Sequence, residues 1–251
     1  MAGVQSIERA FALLRAIAVG PSGVTALATA VDLPKSTVAR LLQALESEGA
    51  IEREPTGSAY RIGTGFADLV ATNPRRKLIA AAKPFLIGLT AELGEASGLD
   101  MYENGWVQFI DQVDTDKDIM VRDWTGESGR AHALPSGLVV LAHIGADALD
   151  TYVSRGLDRL TETTITTRAE LDERLAHVRS AGYSWGYEEF AEGINSVAAP
   201  LFGIRGILGA LRVHGPTFRF PDPERTHDIG RMVAEAAASL SAQLHDRESH
   251  D

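Results

Sequence analysis

A chain of 251 residues, 45% apolar and 23% charged, carries enough hydrophobic side chains for two domains with separate cores. It has no cysteine, which excludes disulfides, thiolate nucleophiles and Cys-ligated zinc. The net charge of −10 is uneven: residues 1–77 hold 9 Lys and Arg against 7 Asp and Glu, and residues 78–251 hold 15 against 27. A slightly basic front end on an acidic body suggests a binding module joined to a larger unit. No apolar run reaches the ~18–20 residues of a membrane span. The opening MAGVQSIERA puts Glu8 and Arg9 where an export signal needs an apolar centre, so a cytoplasmic protein is expected.

In chain order, Ile7, Phe11, Leu14 and Ile17 have the spacing of an amphipathic helix, stopped by Gly20-Pro21-Ser22-Gly23. A short helix is expected over Thr25–Val31, with Thr25 as its N-cap. Asp32-Leu33-Pro34 turns the chain into a third helix that runs to about Glu48 and closes on Gly49. Runs 50–53 and 59–62 flank a polar tip, which predicts a hairpin. Helix, short helix, turn, helix and hairpin is the order of a winged helix-turn-helix, expected over residues 1–64. Residues 65–77 read as a linker, with Pro74-Arg75-Arg76-Lys77 at the junction.

Residues 78–251 read as an α+β unit. A long helix is predicted over Lys77–Glu95, bent or restarted at Pro84. Strands 99–102 and 106–113 flank Asn104-Gly105, a strong hairpin signal. A third strand is expected over Ile119–Trp124 and a buried helix over Pro135–Ile144. Helices follow over 147–155 and 168–181. Strands follow over 183–188, 196–202 and 206–214, and a final helix over Pro223–Leu244.

The third helix divides its faces. On a wheel of about 100° per residue with Val38 at zero, Leu41, Leu42 and Leu45 fall within ~60°, while Ser36, Arg40 and Gln43 fall at ~140–200°. Lys35 and Thr37 flank the polar side in the first turn, where free N–H groups favour a phosphate. One buried stripe opposite short polar groups and one long cation is what a helix in a major groove needs. Thr25, Lys35, Ser36, Thr37, Arg40, Gln43, Tyr60 and Arg61 are therefore the candidate DNA-binding residues.

The stretches "VQSIERAFALLRAI" and "LPKSTVARLLQALESEGAIEREPTGSAYRIG" resemble the winged-helix domain of the IclR family of bacterial transcription regulators. "TITTRAELDERLAHVRSAGYSWGYEEFAEGINSVAAPLFG" and "LRVHGP" are similar to that family's effector-binding domain. The resemblance spans nearly the whole chain. It implies a homodimer, often paired into a tetramer, and a GAF-like antiparallel-sheet domain over residues 78–251 that binds a small carboxylated or aromatic metabolite. It implies a recognition helix over Pro34–Glu48 and a pocket lined by Val121, Pro135, Ser136, Ile194, Ser196, Arg212 and His214. An arginine clamp beside serine hydroxyls suits a carboxylate, so an organic acid with Arg212 as counter-ion is expected. Where the family often has a His-Ala-Thr-Ala-x-Gly-Lys segment, this chain has His132-Ala133-Leu134-Pro135-Ser136-Gly137-Leu138. A frequent cysteine is Ser196, and Gly186-Tyr187 replaces an acidic pair. The function implied is ligand-controlled repression of a catabolic operon, with activation as the variant within the class.

Other motifs carry less. Gly63-Thr64-Gly65 lacks the third glycine of a dinucleotide fingerprint, and Gly126-Glu127-Ser128-Gly129 fails the nucleophile-elbow spacing. The seven histidines form no i, i+4 pair, so no metal and no cofactor are expected. An α+β enzyme with an assembly domain in front is the alternative, but it would need a nucleophile–base pair or paired carboxylates, and none stands at a recognisable spacing. Trp106 is expected in the core, and Trp124, which closes the strand leading towards the pocket, suits core packing and ligand contact equally.

Overall fold

Helical periodicity builds the front of the chain. α1 (Gln5–Val19) buries Leu13, Leu14 and Ile17, but Ile7 and Phe11 stay 55% and 51% exposed, so the expected single stripe is divided. α2 (Val24–Ala30) begins after Gly23, and Thr25 lies inside its first turn. Thr25 is therefore not the expected cap; its carbonyl instead accepts from the Thr29 hydroxyl at 3.2 Å. Asp32, at φ 49°, makes the turn into α3 (Lys35–Ser47), which buries Val38 and Leu42. In the wing, β2 (Ile51–Arg53) and β3 (Ala59–Ile62) pair antiparallel. A third strand that the sequence reading took only as a helix stop, β1 (Ser22–Gly23), pairs with β3 on its other side.

The computed structural model describes residues 5–55, 57–65 and 73–248, and the chain divides into two units, residues 1–77 and 78–251. Most of the expected linker, residues 66–72, lies outside the described residues.

α4 (Pro74–Leu93) starts at the Pro-Arg-Arg-Lys run expected to be the junction and carries the chain into the second unit. Asn73 accepts from the Arg75 N–H at 2.9 Å, and the helix passes Pro84 unbroken. A six-stranded antiparallel sheet follows, built from β4 (Ala96–Glu103), β5 (Trp106–Val113), β6 (Ser128–Arg130), β7 (Ser184–Tyr187), β8 (Ile194–Gly203) and β9 (Gly206–Pro216), in the order β6-β5-β4-β9-β8-β7. The predicted strand 119–124 is absent. The partner for the β5 edge comes from Ser128–Arg130, after a turn in which Gly126 N–H donates to the Phe109 carbonyl at 2.9 Å. Trp106 is 41% exposed on the hairpin, with the Arg130 guanidinium 5.3 Å over its ring, so it is not in the core.

Strand alternation gives the sheet two apolar faces. Leu99, Val197, Leu201, Leu211 and Val213 pack against α4 and the C-terminal α8 (Thr226–Glu248), through Leu86, Val233 and Leu240. Phe109, Ala198 and Ala210 turn the other way, towards α5 (Pro135–Leu141) and, beyond the helix α6 (Ala146–Ser154), α7 (Arg168–Ala181), meeting Leu138, Leu171 and Leu175. Each of these buried leucines contributes ~1.5–3 kcal/mol. Every residue of α5 is buried, and Pro135 opens it at a position where no N–H is needed. No helix among the described residues is long and apolar enough to cross a membrane.

Candidate DNA-reading face and effector pocket

α3 carries the first site. Lys35, Ser36, Arg40 and Gln43 are exposed and Thr37 is half-buried, on the side away from Val38 and Leu42. Lys35 and Arg40 have no ion-pair partner among the described residues, so both are available to phosphates or bases. The wing cations are engaged. Arg61 bonds Glu52 at 3.1 Å across the β2–β3 ladder, and Arg53 meets Glu46 at 3.2 Å. Tyr60 was expected beside the DNA but is 5% exposed in the core with Ile51, because the phase of β3 turns it inward and Arg61 outward. Thr25 is exposed on α2.

The second site lies on the α5 side of the sheet. Pro135, Ile194, Ser196, Arg212 and His214, all expected there, line one cavity together with Phe109, Trp124, Gly186, Glu189 and Phe190. Two expected residues are elsewhere. Ser136 is buried behind the wall and donates its hydroxyl to Asp100. Val121 falls in the 114–124 stretch that makes no strand and does not reach the cavity.

Arg212 is not the free counter-ion expected from the sequence. Its Nε lies 2.9 Å from Asp100 Oδ2 and its Nη2 3.4 Å from Oδ1, with arginine and aspartate 3% and 1% exposed. Burying both charges is tolerable because each meets the other and Ser136 adds a hydrogen bond. Position also matters: Arg212 stands opposite Gly98 in the β4–β9 register, where a Cβ would be 2.6 Å from Nη2. The guanidinium lies 5.0 Å from the Phe109 ring centre, and its Nη1 contacts His214 Nδ1. Burial, reinforced by the Arg212 charge, holds the His214 imidazole well below its usual range, so the ring is neutral. Its Nε2 is buried with no hydrogen-bond partner among the described residues.

On the other wall, Glu189 pairs with Arg174 at 2.8 Å, and burial pushes its carboxyl up against that attraction. Phe109, Trp124 and Phe190 stand tilted or edge-on with ring centres 5.5–6.3 Å apart, and the Arg122 guanidinium covers Trp124 at 3.8 Å. The cavity volume is about 20 Å³, room for roughly one water. A ligand larger than a water fits only if the aromatic side chains move apart.

The sequence reading missed Asp100, Glu189 and Phe190. Asp100 sat in an apolar strand pattern with no sign of its partner 112 residues away, while the adjacent Glu-Glu-Phe run was the only hint of the other two.

Known protein families match both units of the chain. The family described as "IclR helix-turn-helix domain" matches residues 6–55, and "Bacterial transcriptional regulator IclR C-terminal" matches residues 70–242. The HTH-type transcriptional regulator BhcR of Paracoccus denitrificans is 33% identical over 95% of this chain and 87% of its own length. The transcriptional repressor IclR of Escherichia coli is 30% identical over 95% of this chain and 89% of its own. A solved IclR homologue from Microbacterium hydrocarbonoxydans, complexed with 4-hydroxybenzoate, shares the fold with a TM-score of 0.64 at 21% identity, over 95% of this chain and 98% of that one. These matches span both units, and the chain is a member of the IclR family of bacterial transcription regulators, not an enzyme.

Proposed function

We propose that the chain is an operator-binding repressor whose hold on DNA is set by a small organic molecule in the pocket beside α5. The observation that carries this is the combination, in one chain, of exposed cations on α3 and an aromatic cavity with an imidazole nitrogen, none of them with a partner among the described residues. Lys35, Ser36, Thr37, Arg40 and Gln43 meet base edges and phosphates, and Thr25 and Arg61 flank them. A balance near +2 binds DNA weakly from a single copy, so two copies act together on a two-fold operator. The exposed pair Ile7 and Phe11 supports a dimer joined through α1, and further pairing gives tetramers. The ligand favours one arrangement of the two reading helices over another.

Repression is favoured because the 30% identical relative from Escherichia coli is named a transcriptional repressor, and its action on a catabolic operon in the cytoplasm follows the expectation from the sequence. The organic acid expected from the sequence would share Arg212 with Asp100. The deciding experiment is a gel shift on the DNA upstream of the protein's own operon, with and without candidate small molecules. A specific complex at nanomolar protein, dissolved by one of them, is the expected result. Equal affinity for random DNA removes the proposal.

A further inference from the structure

We infer that the effector is an uncharged aromatic molecule, received through an oxygen acceptor on the Nε2–H of His214. This rests on the effector-pocket reading above and adds the charge and polarity of the ligand.

The tautomer follows from the partner. A guanidinium only donates hydrogen bonds, so His214 Nδ1, facing Arg212 Nη1, must present its lone pair. The neutral ring then carries its proton on Nε2. That N–H is buried with no partner among the described residues, and His214, 2% exposed, lines the cavity. A buried donor without an acceptor is costly, and a ligand oxygen relieves that cost. The Ser196 hydroxyl, opposite His214 in the β8–β9 register, adds a second polar atom with no partner among the described residues.

The charge follows from the counter-ions. Arg212, the cation lining the cavity, is neutralised at 2.9 Å by Asp100, and Glu189, the anion, at 2.8 Å by Arg174. An entering carboxylate would lose its water and meet no unmatched positive charge. His214 cannot supply one, because a proton on Nδ1 would turn a second donor against the guanidinium. The walls set the body of the ligand. Phe109, Trp124 and Phe190 offer ring faces and edges to a flat apolar group.

The test is titration calorimetry of the full-length protein at pH 7.5 with two matched pairs, benzamide against benzoate and 4-hydroxybenzamide against 4-hydroxybenzoate. Each amide is expected to bind at least tenfold more tightly than its acid. His214→Leu, which removes the donor without changing charge, is expected to weaken the amides at least fivefold. Asp100→Asn, which leaves the guanidinium unmatched, is expected to move preference towards the acids at least tenfold; if that variant does not fold, the wild-type comparison decides. An acid that binds wild type as tightly as its amide overturns the uncharged-ligand inference and leaves the pocket reading in place. If none of the four binds wild type, the pocket reading and this inference both fall.

Discussion

Gly98 and Arg212 face each other across β4 and β9, and the guanidinium occupies the space that any larger residue at 98 would fill. The ion pair with Asp100 therefore depends on a glycine two residues before it. Gly98→Ala is expected to push Arg212 off Asp100 and cost about 1–3 kcal/mol, as overpacking does. Urea denaturation measures the loss. An unchanged midpoint would mean that the sheet accommodates the methyl group freely.

Arg40 and Lys35 are expected to fail differently. Arg40→Ala should cost ~1–3 kcal/mol on the operator and relax preference at one base position. Lys35→Ala should weaken all DNA alike and reduce the salt dependence by about one unit of slope. Binding isotherms on operator and random DNA at several salt concentrations separate the two. Wild-type affinity in Arg40→Ala would remove α3 from the groove.

The exposed pair on α1 gives a prediction about assembly. Phe11→Glu replaces a 51% exposed ring and touches no buried stripe, so the melting temperature should stay within about 2 °C. Sedimentation is expected to show dissociation of the dimer at micromolar protein, with loss of operator binding. A variant that sediments like wild type would place the interface elsewhere.

Two buried histidines tie stability to pH. Burial lowers His132, whose Nε2 meets the Asp158 carbonyl at 2.9 Å, and lowers His214 well below the usual 6.5. A depressed histidine takes up its proton more readily in the unfolded chain, so stability is complete above 6.5 and falls as pH drops below it. Each histidine contributes up to ~1.4 kcal/mol per pH unit. Glu189, pushed up by burial, acts in the opposite sense, so the comparison is with a variant. His214→Gln should lessen the decline between pH 6.5 and 5 by one proton's worth in urea titrations. An equal slope in both proteins would exclude His214 as a source.

Local chemistry made much of this fold legible. The pattern over 168–181 matches α7 because Thr167 and Glu170 cap each other at its start and Gly182, at φ 79°, ends it. Asn104-Gly105 makes the expected hairpin because both residues adopt positive φ, 52° and 94°. The division of α3 into buried and exposed sides follows its leucines. What failed depended on partners distant in sequence. Ile119–Trp124 has strand-like residues, but the β5 edge is taken by Ser128–Arg130. Tyr60 has the chemistry to reach DNA, and one residue of strand phase decides that it does not. In the pocket the lining on β8 and β9 was legible through the family resemblance, whereas the charge on Arg212 was answered by an aspartate on another strand.

The small size of the cavity has a consequence for timing. A space of about 20 Å³ behind Trp124 holds no effector-sized molecule, so wall opening precedes every productive encounter. The observed affinity is then the intrinsic one reduced by the fraction of time spent open. As ligand concentration rises, the binding rate should level off at the opening rate instead of climbing in proportion. The swiftness of the regulator's response would be set by the contacts that hold the aromatic wall shut, including the Arg122 guanidinium stacked 3.8 Å over Trp124. Loosening that stack would quicken the response and tighten apparent binding without adding a single contact to the ligand.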